Sequence, residues 1–263
     1  MADRVIAKTW VCLSDIHLPF EDKQAIATTL EIIKDIRPHG IALLGDVLDF
    51  YEISHHNHGS VAKLEGYRIS ETFKAGNRFL DDLEKALGNR CVERHWCDGN
   101  HSDRLKRWIE TASNAVFAGD ESVNIGHRLK LKERGYIYHE GYPNSHVKIG
   151  KLVATHGIWC GKYPAARHME RFQSSVLVGH THTHQVFTAS TWEGQRVAYC
   201  QGHLADVNSP AMSYAAKPNN WTTGFSVIQV MPNGNFFVQP VNFVGNTTMY
   251  GQALYPKRLR RSA

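Results

Sequence analysis

The sequence predicts an α/β protein built as two β-sheets lying face to face with helices outside. Three observations predict it. The first half alternates strand-like and helix-like stretches in a βαβαβα order, which calls for a partly parallel sheet with helices packed on it. The second half is rich in strands. Short polar blocks of Asp, His and Asn with glycine recur at the predicted strand ends of both halves.

The elements follow in order. Residues 10–13 read as a buried strand, followed by the polar turn Ser14-Asp15-Ile16-His17. A helix is expected over about 23–36, where Ile26, Leu30, Ile33 and Ile36 recur at steps of three and four. Arg37-Pro38 stops it. Residues 40–44 form the second strand and end at Gly45-Asp46. A second helix fits 69–87, with Phe73, Leu80, Leu83 and Leu87 on one side and Gly88 at its end. The third strand, 91–97, ends at Gly99-Asn100-His101, and a third helix is expected over 104–115. Strand character then returns at 136–140, 146–149, 152–156, 176–178, 185–189 and 197–200, with a short helix around 164–172. A last hairpin, 224–231 with 235–240, turns at Pro232-Asn233-Gly234.

The 263 residues contain no Pro/Ser-rich linker and no internal repeat, so 1–255 are expected to form one domain. Residues 256–263 form a basic tail, and such tails are often disordered. With 42% hydrophobic residues spread along the chain, general disorder is excluded. No run approaches the roughly 18 apolar residues of a membrane helix, and no secretory leader is visible, so a cytoplasmic protein without a membrane partner is expected. Five cysteines without close-pair spacing suit free thiols in a reducing compartment. The net charge of +5 permits an anionic partner without demanding one.

Sixteen histidines point to metal binding or acid–base chemistry. They concentrate in five blocks with Asp and Asn: Asp15-x-His17, Gly45-Asp46-x-x-Asp49, Gly99-Asn100-His101, Thr155-His156-Gly157 and Gly179-His180-Thr181-His182. One block alone is weak, since Asp-x-His arises by chance and Gly-Asp is usually a turn. Ligands at several strand ends can converge in one crevice. Imidazole and carboxylate without thiolate suit Mn, Fe or Zn rather than a Ca or structural Cys site.

In these blocks, over about residues 10–185, the sequence resembles the calcineurin-like metallophosphoesterase superfamily. The resemblance implies a four-layer αββα sandwich with two mixed sheets and a binuclear metal site at the strand ends. Carried onto the matching positions, Asp15, His17, Asp46 and His182 would hold one divalent ion, and Asp46, Asn100, His156 and His180 the other. Manganese is favoured, with Fe, Zn or Ni as alternatives. Two ions about 3.5–4 Å apart can lower the pKa of a bridging water and clamp phosphate oxygens. By similarity His101 would protonate the leaving oxygen. Ser102 follows it where many relatives have Asp or Glu, so Asp103 is a candidate for orienting it; Asp49 is expected to support the site through hydrogen bonds.

The Arg-Gly pair of protein phosphatases is missing after Asp49, where Phe50-Tyr51 stands instead. The pattern looks more like phosphodiesterases and nucleases, and a nucleic-acid or nucleotide substrate is expected. The 51–68 segment, with Tyr51, His55, His56, His58 and Tyr67, is either a substrate-contacting loop or an exposed polar one. Basic clusters at Arg104/Lys106/Arg107, at Arg128/Lys130/Lys132/Arg134 and at Lys257/Arg258/Arg260/Arg261 could track a phosphate backbone, or be solvated faces. Lys130 and Lys132 would share a face if 128–134 is a strand. The long 201–221 stretch, with His203 and Asp206, could wall the site. Two alternatives stay open: hydrolysis of a small phosphoester such as a cyclic nucleotide, and a non-catalytic interaction scaffold.

Overall fold

The computed structural model describes residues 7–57, 64–215 and 219–257. His58 and the tail cations Arg258, Arg260 and Arg261 lie outside the described residues, as does the side chain of His56.

The first half runs β1 (Lys8–Leu13), α1 (Lys23–Ile36), β2 (Gly40–Leu44), α2 (Ile69–Leu87), β3 (Glu93–Cys97), α3 (Asn100–Ile109), α4 (Ile125–Arg128) and β4 (Ile137–His139). The second half runs β5 (His146–Ile149), β6 (Leu152–Thr155), α5 (Pro164–Phe172), β7 (Val176–Val178), β8 (Gln185–Thr191), β9 (Gly194–Cys200), β10 (Gly224–Val230) and β11 (Phe236–Asn242). A small hairpin, β12 (Thr248–Tyr250) and β13 (Ala253–Tyr255), follows. One sheet has the order β11-β10-β1-β2-β3-β4 and the other β5-β6-β7-β9-β8. Strands β1 to β4 are mutually parallel, as are β6, β7 and β9; β10 and β5 pair antiparallel.

The two-residue period of the strands builds the layers. On β1, Trp10 and Cys12 face the second sheet, where they pack with Ala154, Leu177 and Ile149. Val11 and Leu13 point the other way, into the core beneath α1 and α2 with Ile32, Ile33, Leu80 and Leu83. Each such fully buried Leu or Ile contributes about 1.5–3 kcal/mol relative to exposure. Outside the second sheet α5 supplies Ala165 and Met169 against Val176, Val178 and Ala198. The result is two mixed sheets face to face, with helices on both outer sides.

Local chemistry fixes the helix ends. The Asp22 carboxylate accepts from the amides of Gln24 (3.0 Å) and Ala25 (2.9 Å) and starts α1; Arg37, left-handed at φ 47°, ends it before Pro38. The third helix differs from expectation. It begins four residues earlier, at Asn100, and stops at Ile109 rather than running to 115. Beyond Ile109, the Thr111 hydroxyl (2.8 Å) and the Asn114 amide (3.1 Å) donate to the Trp108 carbonyl, replacing the bonds a further turn would make. The 128–134 segment is not a strand. It leaves α4 through turns, with Lys130 at φ 53°, so Lys130 and Lys132 share no strand face. The hairpin β12–β13 was not anticipated. It brings Tyr255 to α1, where its hydroxyl donates to Asp35 (2.6 Å), and Lys257 also pairs with Asp35.

Among the described residues no helix is long and apolar enough to cross a membrane.

Candidate metal centre

Parallel strands end on one edge of their sheet, and here those edges coincide. Asp15 and His17 follow β1, Asp46 and Asp49 follow β2, and Asn100 and His101 open α3 after β3. His156 follows β6, while His180 and His182 follow β7. The loops turn so sharply that Asp15, His17, Asp46, His180 and His182 all lie at φ between 47° and 64°, in the left-handed region. Non-glycine residues held there cost about 1 kcal/mol or more each, and such residues cluster at functional sites. Glycine is required where two loops touch. A Cβ at Gly99 would run into the Asp46 carboxylate, and one at Gly179 would sit 2.5 Å from an Asp15 oxygen.

Among the described residues three groups of side chains could each hold a metal ion: Asp15, His17 and His182; Asp46, His156 and His180; and His17, Asp49 and His101, which shares His17 with the first. In the first, His17 Nε2 lies 3.3 Å from His182 Nε2, which lies 3.3 Å from Asp15 Oδ1. In the second, His156 Nε2 lies 3.1 Å from Asp46 Oδ2 and 2.9 Å from Asn100 Oδ1. Asp46 reaches the opposite side too, since its other oxygen accepts from the His101 amide (2.9 Å). The donor set fits a cation. His17 Nδ1 donates to Asp49 (2.8 Å), which leaves lone pairs of Nε2 and of the Asp15 carboxylate crowded together without a proton for each contact. His156 Nδ1 similarly donates to the Leu44 carbonyl (3.0 Å) and presents Nε2.

The electrostatics agree. Burial alone would raise the pKa of Asp15 and Asp46, but the surrounding imidazoles, His156 foremost at Asp15 and His101 at Asp46, hold both well below the usual carboxylate range. Burial would lower His156, yet Asp46 and Asp15 push it up to about 9. His180 goes the other way, to about 4, through burial and the neighbouring His156. The carboxylates thus raise the proton affinity of His156 and His101, while burial and neighbouring imidazoles keep His17 and His180 low.

Asp49 is where expectation puts it, holding His17. It also answers what orients His101. His101 Nδ1 donates to the Asp49 backbone carbonyl (2.7 Å), with the Asp49 carboxylate 3.3 Å away. Asp103 does not play this part. It pairs with Arg107 (2.8 Å), because residues two apart on a helix do not share a face. Three apart they do, and Arg104 lies against His101, Nη2 to Nε2 at 3.2 Å, anchored on the Asp49 and Phe50 carbonyls.

The other candidates divide. Tyr51 packs its ring on Phe20 and Tyr67, and His55 is exposed. His203 and Trp221, from the irregular 201–221 stretch, set their rings 5.1 and 4.4 Å from His182, so this stretch does wall the site. Asp206 instead closes its own turn on the Asn208 amide (2.9 Å). Of the middle basic cluster, Arg134 is bound by Asp81 (2.7 Å) and Glu84 (3.0 Å). Tyr142, whose ring lies 6.0 Å from His156, was missed, since Gly141-Tyr142-Pro143 reads as a turn without chemistry.

No family model matches the chain. It is 25% identical over 240 residues to the Gene 54 protein of Mycobacterium phage D29, covering 87% of this chain and 91% of that protein. It is 24% identical over 236 residues to the Gene 54 protein of Mycobacterium phage L5, covering 86% and 90%. Among solved structures it is similar to Vacuolar Protein Sorting 29 from Cryptosporidium parvum (TM-score 0.44, 13% identity, 90% of this chain and 98% of that one). It is also similar to YfcE, a phosphoesterase from E. coli (TM-score 0.36, 15% identity, 89% and 98%). The site itself makes the stronger likeness: five blocks, in order, closing on one cleft between two sheets, resemble the calcineurin-like metallophosphoesterase superfamily.

Proposed function

We propose that the protein is a divalent-metal-dependent phosphoesterase that hydrolyses a phosphodiester of nucleotide type. The observation that carries this reading is the convergence of seven imidazole, carboxylate and amide ligands from five loops, five of them held in left-handed backbone conformations. On this reading Asp15, His17, Asp46 and His182 hold one ion, and Asp46, Asn100, His156 and His180 a second, with Asp46 common to both. An all-nitrogen-and-oxygen set suits Mn first, then Fe, Zn or Ni. Such ions supply Lewis acidity to a phosphoryl oxygen and acidify a water.

The protein's own residues then have separable tasks. Neutral Asn100 keeps the site's negative charge below that of an all-carboxylate cage, which lets a phosphate anion approach. His101 keeps Nδ1 on the Asp49 carbonyl and turns Nε2 towards the Asp46 side of the cleft (3.7 Å). Burial and the neighbouring Arg104 disfavour its imidazolium, but Asp46 and Asp49 outweigh them and raise its pKa; on this reading Nε2 is the atom that would pass a proton to the leaving oxygen. Arg104 adds a fixed cation beside that nitrogen for a phosphate oxygen.

Nucleic acid and a small nucleotide are both served by this chemistry. Two of the three basic clusters are partly neutralised by their own carboxylates, Arg107 by Asp103 and Arg134 by Asp81 and Glu84, which weakens the polymer reading. A cavity beside the cleft favours the small substrate. The scaffold alternative has no use for an intact ligand set.

The test is to strip the protein of metal, restore Mn, and assay end-labelled single- and double-stranded DNA and RNA beside cyclic and linear nucleotides. Hydrolysis is expected only with metal, and is expected to be lost in Asp46→Asn and His180→Ala variants that still fold. Activity retained in both variants overturns the assignment.

A further inference from the structure

A cavity of about 500 Å³ opens beside the metal cleft, between α3 and the 117–127 segment. That size lies within the range of small-molecule sites and far exceeds what a lone ammonium or phosphate group fills. Its walls are apolar: Leu105 and Ile109 from α3 face Phe117, Val123 and Ile125. Phe117 is held in place by stacking on Trp108, ring centroids 5.6 Å apart. The cavity shares a wall with the cleft. Tyr142 lines it while its ring packs against His156, and Ser102, next to His101, lines the same side.

The charge of the lining is one-sided. Asp98, Asp103, Glu110, Asp120, Glu121 and Glu140 stand against Lys106 and His127. Several of these carboxylates are already engaged: Asp103 with Arg107, Glu121 with His127, and Asp98 with the Tyr138 hydroxyl (2.9 Å) and the Gly141 amide (3.0 Å). The Glu110 and Glu140 carboxylates make no hydrogen bond or ion pair among the described residues, and they remain as acceptors. A strand of phosphates threading this cavity would be repelled. A flat group with apolar faces and N–H donors on its edge would be matched on both counts, by the Phe117 and Tyr142 rings and by the free carboxylates.

We infer that this cavity receives the base of a single nucleoside unit whose phosphoester lies in the cleft, and that it prefers bases with an exocyclic amino group. The role assigned to the phosphoester rests on the phosphoesterase reading; the binding of the base does not. The test therefore uses metal-free protein and uncharged nucleosides. Adenosine, cytidine and uridine are titrated by equilibrium dialysis, with Trp fluorescence as a second readout because Trp108 backs Phe117. Adenosine and cytidine are expected to bind at least about tenfold more tightly than uridine, the equivalent of one well-made hydrogen bond to a charged acceptor. Ala118→Trp, which fills the cavity from an exposed lining position, is expected to abolish binding. Glu140→Gln, which keeps the shape, is expected to shrink the preference for amino-bearing bases. No nucleoside binding by the wild type, equal binding by Ala118→Trp, or a preference for uridine overturns the inference. Metal-dependent hydrolysis without nucleoside binding would remove the inference and leave the proposed function standing; nucleoside binding without hydrolysis would do the reverse.

Discussion

The two sheets contribute to one site from unequal supports. In the six-stranded sheet β2 is buried along its whole length, and β1 is buried from Val11 onward, with apolar cores on both faces. In the five-stranded sheet β7 is buried throughout as well, and the outer strand β8, which carries none of the site residues, is largely open, with Val186 48% and Phe187 40% exposed. The first sheet provides every carboxylate of the site, together with His17, Asn100 and His101; the second provides only imidazoles. The difference has a physical reason. A buried carboxylate without fixed partners costs several kcal/mol, so it belongs where the backbone is least able to move. An imidazole tolerates burial in its neutral form and needs no such fixed partners.

The comparison can be broken in several ways, the largest effect first. Asp46→Asn, on the first sheet, is expected to lower turnover about a thousandfold or more while the circular dichroism stays native, because each tenfold corresponds to about 1.4 kcal/mol of lost charge stabilisation. A loss of fold instead would show that Asp46 is structural. Leu43→Ala, fully buried in β2, is expected to cost about 2–5 kcal/mol in urea denaturation, against less than about 1 kcal/mol for Phe187→Ala on β8. Equal costs would erase the distinction between the central strand and the outer one. Restoring Mn at a hundredfold excess over its Kd is expected to add about 2.7 kcal/mol to unfolding stability. Hydrogen exchange should place much of the new protection in the loops after β6 and β7, since the metal ties the second sheet to the first. Asp49→Asn, which leaves the ligands intact but weakens the hold on His17, is expected to lower metal affinity about 10–100-fold by calorimetry.

The smallest expected effect is on pH. His95 of β3 and His139 of β4 face each other with Nδ1 and Nε2 2.8 Å apart. Burial lowers both pKa values, with His139 adding to the effect on His95 and His146 to that on His139. Their folded pKa values lie below the ordinary 6.5, so the unfolded chain binds more protons below that pH. The stabilisation is therefore complete above about pH 6.5 and is lost as pH falls through the folded values. His95→Gln is expected to flatten the decline in melting temperature between pH 7 and 5. An unchanged decline would assign the acid sensitivity to other groups.

Much of this was legible in the chain itself. The apolar run Gly40-Ile-Ala-Leu-Leu44 and the helix of residues 23–36 fall where their patterns place them, because burial on both faces and a 3.6-residue stripe leave direct marks on composition. The short helix at Pro164–Phe172 falls there too. The candidate ligand blocks were legible because imidazole and carboxylate beside glycine at a strand end have few uses other than a site. The basic cluster at 128–134 stays open between a phosphate track and a solvated face in the sequence, since nothing in a charge pattern reveals that Asp81 and Glu84 from α2 reach Arg134.

By itself the sequence determined the alternation of elements, the five ligand blocks and their order, and so the chemistry the site can support. Those properties are local: they depend on side-chain type and on spacing along one element. Only the tertiary structure decided that the Asp49 carbonyl orients His101, that Arg104 rather than Asp103 stands beside it, and that Tyr142 joins the metal cleft to an acid-lined cavity. Those contacts join residues on different strands and loops, or depend on the phase of a helix whose first residue the pattern did not fix. They are set by how the two sheets pack, which no single stretch of the chain records.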